Sequence, residues 1–275
     1  MTVTAVPSPM ETEDRRAAES TGAREGKASP ATPSITKALQ VLEAFRDSGP
    51  ALGVSDVARL VGMPKSTAFR LLNHLAESGY VERTGRLYIL GSRLFELGNA
   101  VQMCRPDGLR GLALPYLGEL YAGTGKVVHL AVLDGTDVVY LEKLHGLKAV
   151  AVDTVVGGRT PAACSALGKA MLAFSDRRTI GGVLDAGLVR RTAYSHSDPA
   201  RFLAELRWVS MERIAHDREE NRLGLVCTAA PIVMNGRAVG AVSVSGAATR
   251  FDAPQVAEQV RRAADAISHG LRQAG

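Results

Sequence analysis

Residues 54–73, Val-Ser-Asp-Val-Ala-Arg-Leu-Val-Gly-Met-Pro-Lys-Ser-Thr-Ala-Phe-Arg-Leu-Leu-Asn, carry two apolar-periodic segments joined by Gly62, Met63 and Pro64. The pattern predicts a helix-turn-helix. Ser55 is placed to cap the first helix, Val57, Ala58 and Val61 form its buried stripe, and Gly62 supplies the backbone freedom for the reversal. Pro64 suits the first position of the second helix. In that helix Ala68, Leu71, Leu72 and Leu75 recur at core spacing, while Thr67, Arg70 and His74 line the other side.

A short polar helix face of this kind is what a DNA major groove admits. Arg70 has the geometry to bond a guanine edge with two donors, Lys65 to hold a phosphate, and Ser66 and Thr67 to do either, with Asn73 completing the stretch. Gly79 ends the helix. Tyr80 to Arg83 and Leu87 to Leu90 then read as two strands around Thr84-Gly85-Arg86, a wing whose basic tip, Arg86, reaches a phosphate or a minor groove. Ahead of the pair, Ser34 to Arg46 predicts a supporting helix with Ile35, Leu39, Leu42 and Phe45 at helical spacing. Three helices and a wing make a module of about sixty residues that can fold alone.

The chain of 275 residues is too long for this module and implies a second domain. Residues 1–33 have hardly a large apolar side chain and are expected to be disordered. No apolar run has membrane-spanning length and no hydrophobic signal region opens the chain, so a cytoplasmic location without membrane contact is expected. The net charge of +5 is poor support for DNA binding. Acids nearly match bases between Ser34 and Cys104, and the excess lies mostly in the second half. The local run Lys65 to Asn73, free of acids, and Arg83 and Arg86 in the wing are better signals. Three cysteines without a C-x-x-C and six scattered histidines imply neither a disulfide framework nor a metal site. No cofactor is implied.

Gly91 to Cys104 predicts a connecting helix with Leu94, Leu97 and Val101 at heptad-like spacing and Phe95 beside them. Such a stripe packs either on its own domain or on a second protomer. Arg105 to Gly108 breaks it, giving boundaries at 34–90, 91–106 and 107–275. A helix over Leu109 to Thr124 is followed by strands over Val127 to Leu133, Val138 to Leu144 and Ala149 to Val156, a loop over Gly157 to Pro161, and a helix over Ser165 to Phe174. Helices are expected around Arg177 to Asp185 and Pro199 to Ala215. Val226 to Met234 and Ala238 to Ser245 form a hairpin closed by Asn235-Gly236, and Asp252 to Arg272 a last helix with Val256, Val260, Ala264 and Ile267 on one face. Strands and helices without regular alternation imply an α+β fold with a mainly antiparallel sheet.

Six blocks in order, Ser34 to Phe45, Gly62 to Leu72, Leu90 to Gly98, Arg159 to Lys169, Asp217 to Pro231 and Gly240 to Gly246, make the chain resemble the IclR family of transcriptional regulators from Ser34 onward. The resemblance implies an N-terminal winged helix-turn-helix, a linker helix used in dimerisation and a C-terminal GAF-like α/β effector-binding domain. It further implies homodimers or homotetramers on double-stranded, pseudo-palindromic operators, controlled by small, often carboxylate-bearing effectors, with repression favoured over activation. In similar proteins the effector lies against the positions of Ala166, Leu167, Asp217, Cys227, Ser243 and Ser245. Ser243 and Ser245, two apart, point to one face of a strand, and Asp217 can accept from a hydroxyl or amide. The resemblance implies that Ala166 and Leu167, standing where some members carry a smaller pair, shrink the pocket or change its ligand. Each residue also has a plain structural use: the thiol as small core filling, the hydroxyls as satisfied strand groups, Asp217 as a cap.

The enzyme alternative is a small-molecule hydrolase with Cys227 or Cys164 as nucleophile and His216 nearby. A phosphate loop ending at Lys169 fails at Ala163 and Ala170, and Gly240-Ala-Val-Ser-Val is not a nucleophile elbow.

Overall fold

A computed structural model describes residues 33–145 and 151–274, which fall into two compact units, one through Gly91 and one from Ser92. The tail expected to be disordered lies, apart from Pro33, outside the described residues.

The first unit contains α1 (Ser34–Ser48), β1 (Ala51–Gly53), α2 (Val54–Val61), α3 (Lys65–Glu77), β2 (Val81–Thr84) and β3 (Leu87–Leu90). The helix-turn-helix is where its sequence places it. Gly62 closes α2 with φ 68°, its N–H on the Ala58 carbonyl. Gly79 (φ 75°) ends α3, with Tyr80 N–H reaching back to Leu75 O at 2.9 Å. Two caps differ from expectation. The N-cap of α2 is Gly53, whose N–H donates to Asp56 at 3.2 Å, so Ser55 is already helical. Pro64 is the N-cap of α3 and its carbonyl takes the N–H of Thr67 and Ala68.

The wing gains a third strand, β1, which pairs with β3 to give the antiparallel order β1-β3-β2. The core of this unit gathers Val41, Phe45, Leu52, Val57, Leu71, Leu72, Val81 and Tyr88. Ile35 and Leu39 do not join it: they are 73% and 57% exposed. Val41 and Phe45 set the inward face of α1, and at 100° per residue Ile35 and Leu39 lie well round the helix from it.

The second unit opens with α4 (Ser92–Ala100) and a 3-10 turn (Gln102–Cys104), so the connecting helix is shorter than expected. None of its residues is buried, and Phe95 is 74% exposed. Then follow α5 (Leu109–Thr124), β4 (Val127–Asp134), β5 (Asp137–Leu144), β6 (Arg159–Pro161), α6 (Ala166–Leu172), α7 (Arg177–Asp185), α8 (Pro199–Glu212), β7 (Ala215–Arg218), β8 (Leu225–Met234), β9 (Arg237–Ala247) and α9 (Ala253–Ala274). The strands form one antiparallel sheet in the order β6-β5-β4-β9-β8-β7. Helices α5 and α9 bury Leu117, Val256, Val260 and Ile267 on one face. Helices α6, α7 and α8 bury Met171, Val183, Phe202, Leu206 and Val209 on the other. This is the α+β architecture expected, a winged helix-turn-helix and an α/β domain on an antiparallel sheet.

Two strand assignments change. Residues 151–156 of the expected third strand are irregular, and Ala149 and Val150 lie outside the described residues. The edge strand beside β5 is instead Arg159–Pro161, from the expected loop. Ala215 does not end α8 but begins β7, because Arg213 (φ 57°) turns the chain into the sheet. The β8–β9 hairpin turns through Asn235 (φ 49°) and Gly236 (φ 75°), the positive pair that a two-residue turn of this hand requires.

Candidate functional site

On the first unit, Lys65, Ser66, Arg70 and Arg86 are exposed and Thr67 is half-buried. Lys65, Ser66, Thr67 and Arg70 lie in the first six residues of α3, after the N-cap Pro64, and Arg86 sits at the tip of the β2–β3 turn beside Gly85 (φ 64°). Asn73 has an internal duty: its Oδ1 accepts from the Tyr88 hydroxyl at 3.2 Å, tying α3 to the wing. Phe69, next to Arg70 in α3, is 44% exposed and adds apolar surface there.

The second unit builds a site on the sheet face covered by α6. Antiparallel register sets Asp217 opposite Cys227, and Cys227 opposite Ser245, so three neighbouring strands place these side chains in a row. Ser243, two residues before Ser245, shares their face and pairs across β4 with His129. Helix α6 starts above them with Ala166 and Leu167. Ser165 caps it, its Oγ accepting from Gly168 N–H at 3.0 Å. Gly168 is required here, since a Cβ would stand 2.2 Å from the Ala162 carbonyl oxygen.

All six residues expected to bind an effector therefore line one cavity, of about 20 Å³. Ser165 lines it too, and so do His129, Tyr140, Val152, Thr154, Asn221 and Leu225, which the sequence motifs do not single out as site residues. His129 and Tyr140 are signalled only by being polar at positions of β-rich runs whose neighbours are apolar. His129 hydrogen-bonds Thr154 at 2.8 Å and stacks obliquely on Tyr140 at 5.1 Å. Lys143 Nζ holds the carbonyls of Val152 and Thr154, each at 2.7 Å, fastening residues 152–154 over the cavity.

The electrostatics of this cavity are unusual for a polar site. Asp217 is 4% exposed; burial and then the charge of Glu220 push its carboxyl up to about 7, against backbone hydrogen bonds that lower it. One oxygen, Oδ1, accepts from the N–H groups of Glu220 at 2.7 Å and Asn221 at 3.3 Å. Burial, with the charge of Lys143, lowers His129 to about 3, so its ring is neutral. The Ser243 hydroxyl is fully buried and, among the described residues, without a hydrogen bond of ordinary geometry, its neighbour being the weakly bonding Cys227 thiol.

Behind α6 lies an ion cluster. Lys169 is wholly buried and donates to Glu205 at 2.7 Å and Glu220 at 2.6 Å. His196 bonds the second oxygen of Glu205 and lies 3.9 Å from that of Glu220. His196, Glu205 and Glu220 have ligand types for a metal, but the Lys169 ammonium already supplies the cation between the carboxylates.

The hydrolase alternative finds no activated nucleophile. Burial pushes the Cys227 thiol up to about 12 and the Cys164 thiol up to about 11, leaving both protonated at neutral pH. His216 bonds Thr228 at 3.0 Å and alternates with Asp217 along β7, which turns it to the face opposite Cys227. Among the described residues no helix is long and apolar enough to cross a membrane.

Comparison with known proteins agrees with this anatomy. The IclR helix-turn-helix domain matches residues 34–85, and the C-terminal domain of bacterial IclR transcriptional regulators matches residues 102–269. The chain is 31% identical over 251 residues to the HTH-type transcriptional regulator XynR of Escherichia coli K12, covering 88% of this chain and 98% of that one. It is 28% identical over 233 residues to the transcriptional repressor IclR of the same organism, covering 82% and 84%. Among solved structures, an IclR homolog from Microbacterium hydrocarbonoxydans complexed with 4-hydroxybenzoate superposes with a TM-score of 0.82 at 27% identity, covering 88% of this chain and 100% of that one. The Thermotoga maritima IclR gives 0.73 at 28% identity, covering 86% and 98%. These relatives are regulators and not enzymes, and the chain belongs to the IclR family of transcriptional regulators.

Proposed function

We propose that this regulator binds an operator through α3 and the wing and is controlled by a small organic acid bound beneath α6. The observation that carries the effector half is the convergence of Ala166, Leu167, Asp217, Cys227, Ser243 and Ser245 on one cavity, where the buried Ser243 hydroxyl has among the described residues only the weakly bonding Cys227 thiol beside it. A buried hydroxyl without a hydrogen bond costs about 1–3 kcal/mol, which a polar ligand would recover. For the DNA half, Arg70 is the base reader, Lys65, Ser66, Thr67 and Arg86 hold phosphate, and Asn73 contributes through its link to Tyr88.

The expected assembly is a homodimer or a homotetramer, since a two-fold operator needs paired reading heads. Exposed apolar side chains offer surface for it on each unit, Ile35 and Leu39 on the first and Phe95, Leu97 and Val101 on the second. Repression is the expected sign. The relative that binds 4-hydroxybenzoate makes aromatic acids the first ligands to try.

The test pairs two measurements: gel shifts of the full chain on the DNA upstream of its own gene, and repetition with each acid that raises the melting temperature. Loss of the shift with one such acid, abolished in Ser243→Ala, supports the reading. An acid that melts and shifts Ser243→Ala and Asp217→Asn like the parent refutes the pocket.

A further inference from the structure

The effector cavity is too small for a metabolite. At about 20 Å³ it takes one water-sized group and no more. Its wall contains no Lys or Arg, and its single acid, Asp217, would repel an anion whenever ionised.

A second cavity of about 380 Å³ opens beside it and shares Tyr140, Val152, Thr154, Asn221 and Leu225 with it. Its character is opposite, for Arg159, Arg191 and Arg222 line it. Two of these are already spent: Arg159 pairs with Asp134 and Asp137, and Arg222 pairs with Asp153 at 3.0 Å. Arg191 has no carboxylate partner among the described residues. Its backbone is fixed, because its N–H donates to Ser195 Oγ at 3.0 Å and that hydroxyl donates to the Glu220 carbonyl at 2.6 Å. Glu220 stands between Asp217, on β7, and Asn221, so the segment that carries Arg191 is hydrogen-bonded to the chain that walls the inner cavity.

Resting on the effector reading above, we infer that the ligand is bipolar. A single hydroxyl or carbonyl enters the inner cavity against Ser243 and Asp217, and a carboxylate at the far end of an elongated body pairs with Arg191 in the outer one. Arg191 is then the residue that selects acids over neutral analogues. Arg191 is exposed in the open cavity, where its guanidinium can bond a carboxylate with two donors, and loss of one such charge-assisted contact is worth about 1.5–3 kcal/mol, roughly 10- to 150-fold in affinity.

The experiment uses the full chain and a panel of hydroxylated and oxo-substituted acids, both aromatic and aliphatic, each paired with its own primary amide, by thermal shift and then calorimetry. For the acid that binds the parent best, the inference expects Arg191→Gln to weaken it at least tenfold while leaving its amide within threefold. Ser243→Ala should weaken acid and amide alike, and removal of the hydroxyl or oxo group should do the same in the parent. If Ser243→Ala abolishes binding but Arg191→Gln leaves the acid-to-amide preference unchanged, the bipolar placement is wrong and the effector site stands. If no acid of the panel binds the parent, or binding is indifferent to Ser243→Ala and Asp217→Asn, the inference falls together with the effector reading. Arg191→Lys separates folding from recognition: it should keep part of the acid preference, having charge without the planar fork.

Discussion

Substituting Lys169 by Met tests how the effector domain is held together. The side chain is wholly buried and satisfies one oxygen of Glu205 and one of Glu220 at 2.7 and 2.6 Å. Methionine keeps the volume and removes the charge, leaving two carboxylates, with Asp217 close by, whose remaining partners among the described residues are His196 and, for Glu220, the Arg218 N–H at 3.3 Å. Removing one partner of a buried ion pair costs about 3–5 kcal/mol, mostly for the stranded charge. For a unit of this size each kcal/mol moves the melting temperature by about 2–4 °C, so the expected fall is roughly 6–20 °C at pH 7.5.

The pH dependence carries a sign. Burial alone would raise Glu205, but the hydrogen bonds and charges of His196 and Lys169 outweigh it and hold the carboxyl at about 2. A depressed carboxylate stabilises the parent above the unfolded value near 4.5, and this contribution is lost between there and about 2. In the variant the same group loses its cation and is raised, so its ionisation opposes folding. The gap between parent and Lys169→Met should therefore widen from pH 5 to pH 8 in scanning calorimetry. A melting temperature within about 2 °C of the parent at pH 7.5, or a gap that narrows as pH rises, would show that the cluster is not a net anchor.

Arg70→Ala should cost about 1–3 kcal/mol in operator binding and relax preference at one base per half-site, whereas Lys65→Ala should weaken all sequences alike and flatten the salt slope; fluorescence anisotropy against single-base operator variants distinguishes them. Asp217 is raised to about 7, so its ionisation destabilises the fold as pH rises from its unfolded value through 7, and Asp217→Asn should melt higher than the parent at pH 8 but not at pH 4. Gly168→Ala drives a Cβ against the Ala162 carbonyl at 2.2 Å and should cost about 1–3 kcal/mol by chemical denaturation, with loss of the effector site. Leu97→Asp, on the exposed flank of α4, should shift sedimentation equilibrium toward monomer without lowering the melting temperature; an unchanged assembly would move the protomer contact elsewhere.

Local chemistry made much of this protein legible in advance. The helix-turn-helix, the α5 and α9 helices and the Asn235-Gly236 hairpin are specified by residues a few positions apart: a glycine at a positive φ, a core stripe at helical spacing, a two-residue turn. Such signals survive without knowledge of partners. The family resemblance also named Ala166, Leu167, Asp217, Cys227, Ser243 and Ser245, which do meet around one cavity. What stayed hidden was everything that depends on which strands lie side by side. His129 joins the site only because β4 pairs with β9, more than a hundred residues later, and β7 is too short to announce itself after a long helix. The edge strand at Arg159 reads as a loop in the sequence because its pairing with β5, and not its own composition, makes it a strand. Ile35 and Leu39 show the converse limit. Helical spacing identifies an apolar stripe, but which stripe faces the core is decided by the surfaces available to cover it, and here Val41 and Phe45 meet α2, α3 and the wing while Ile35 and Leu39 are left to solvent. Pattern along the chain sets the elements; register and packing between them decide which side chains share a cavity and which remain outside.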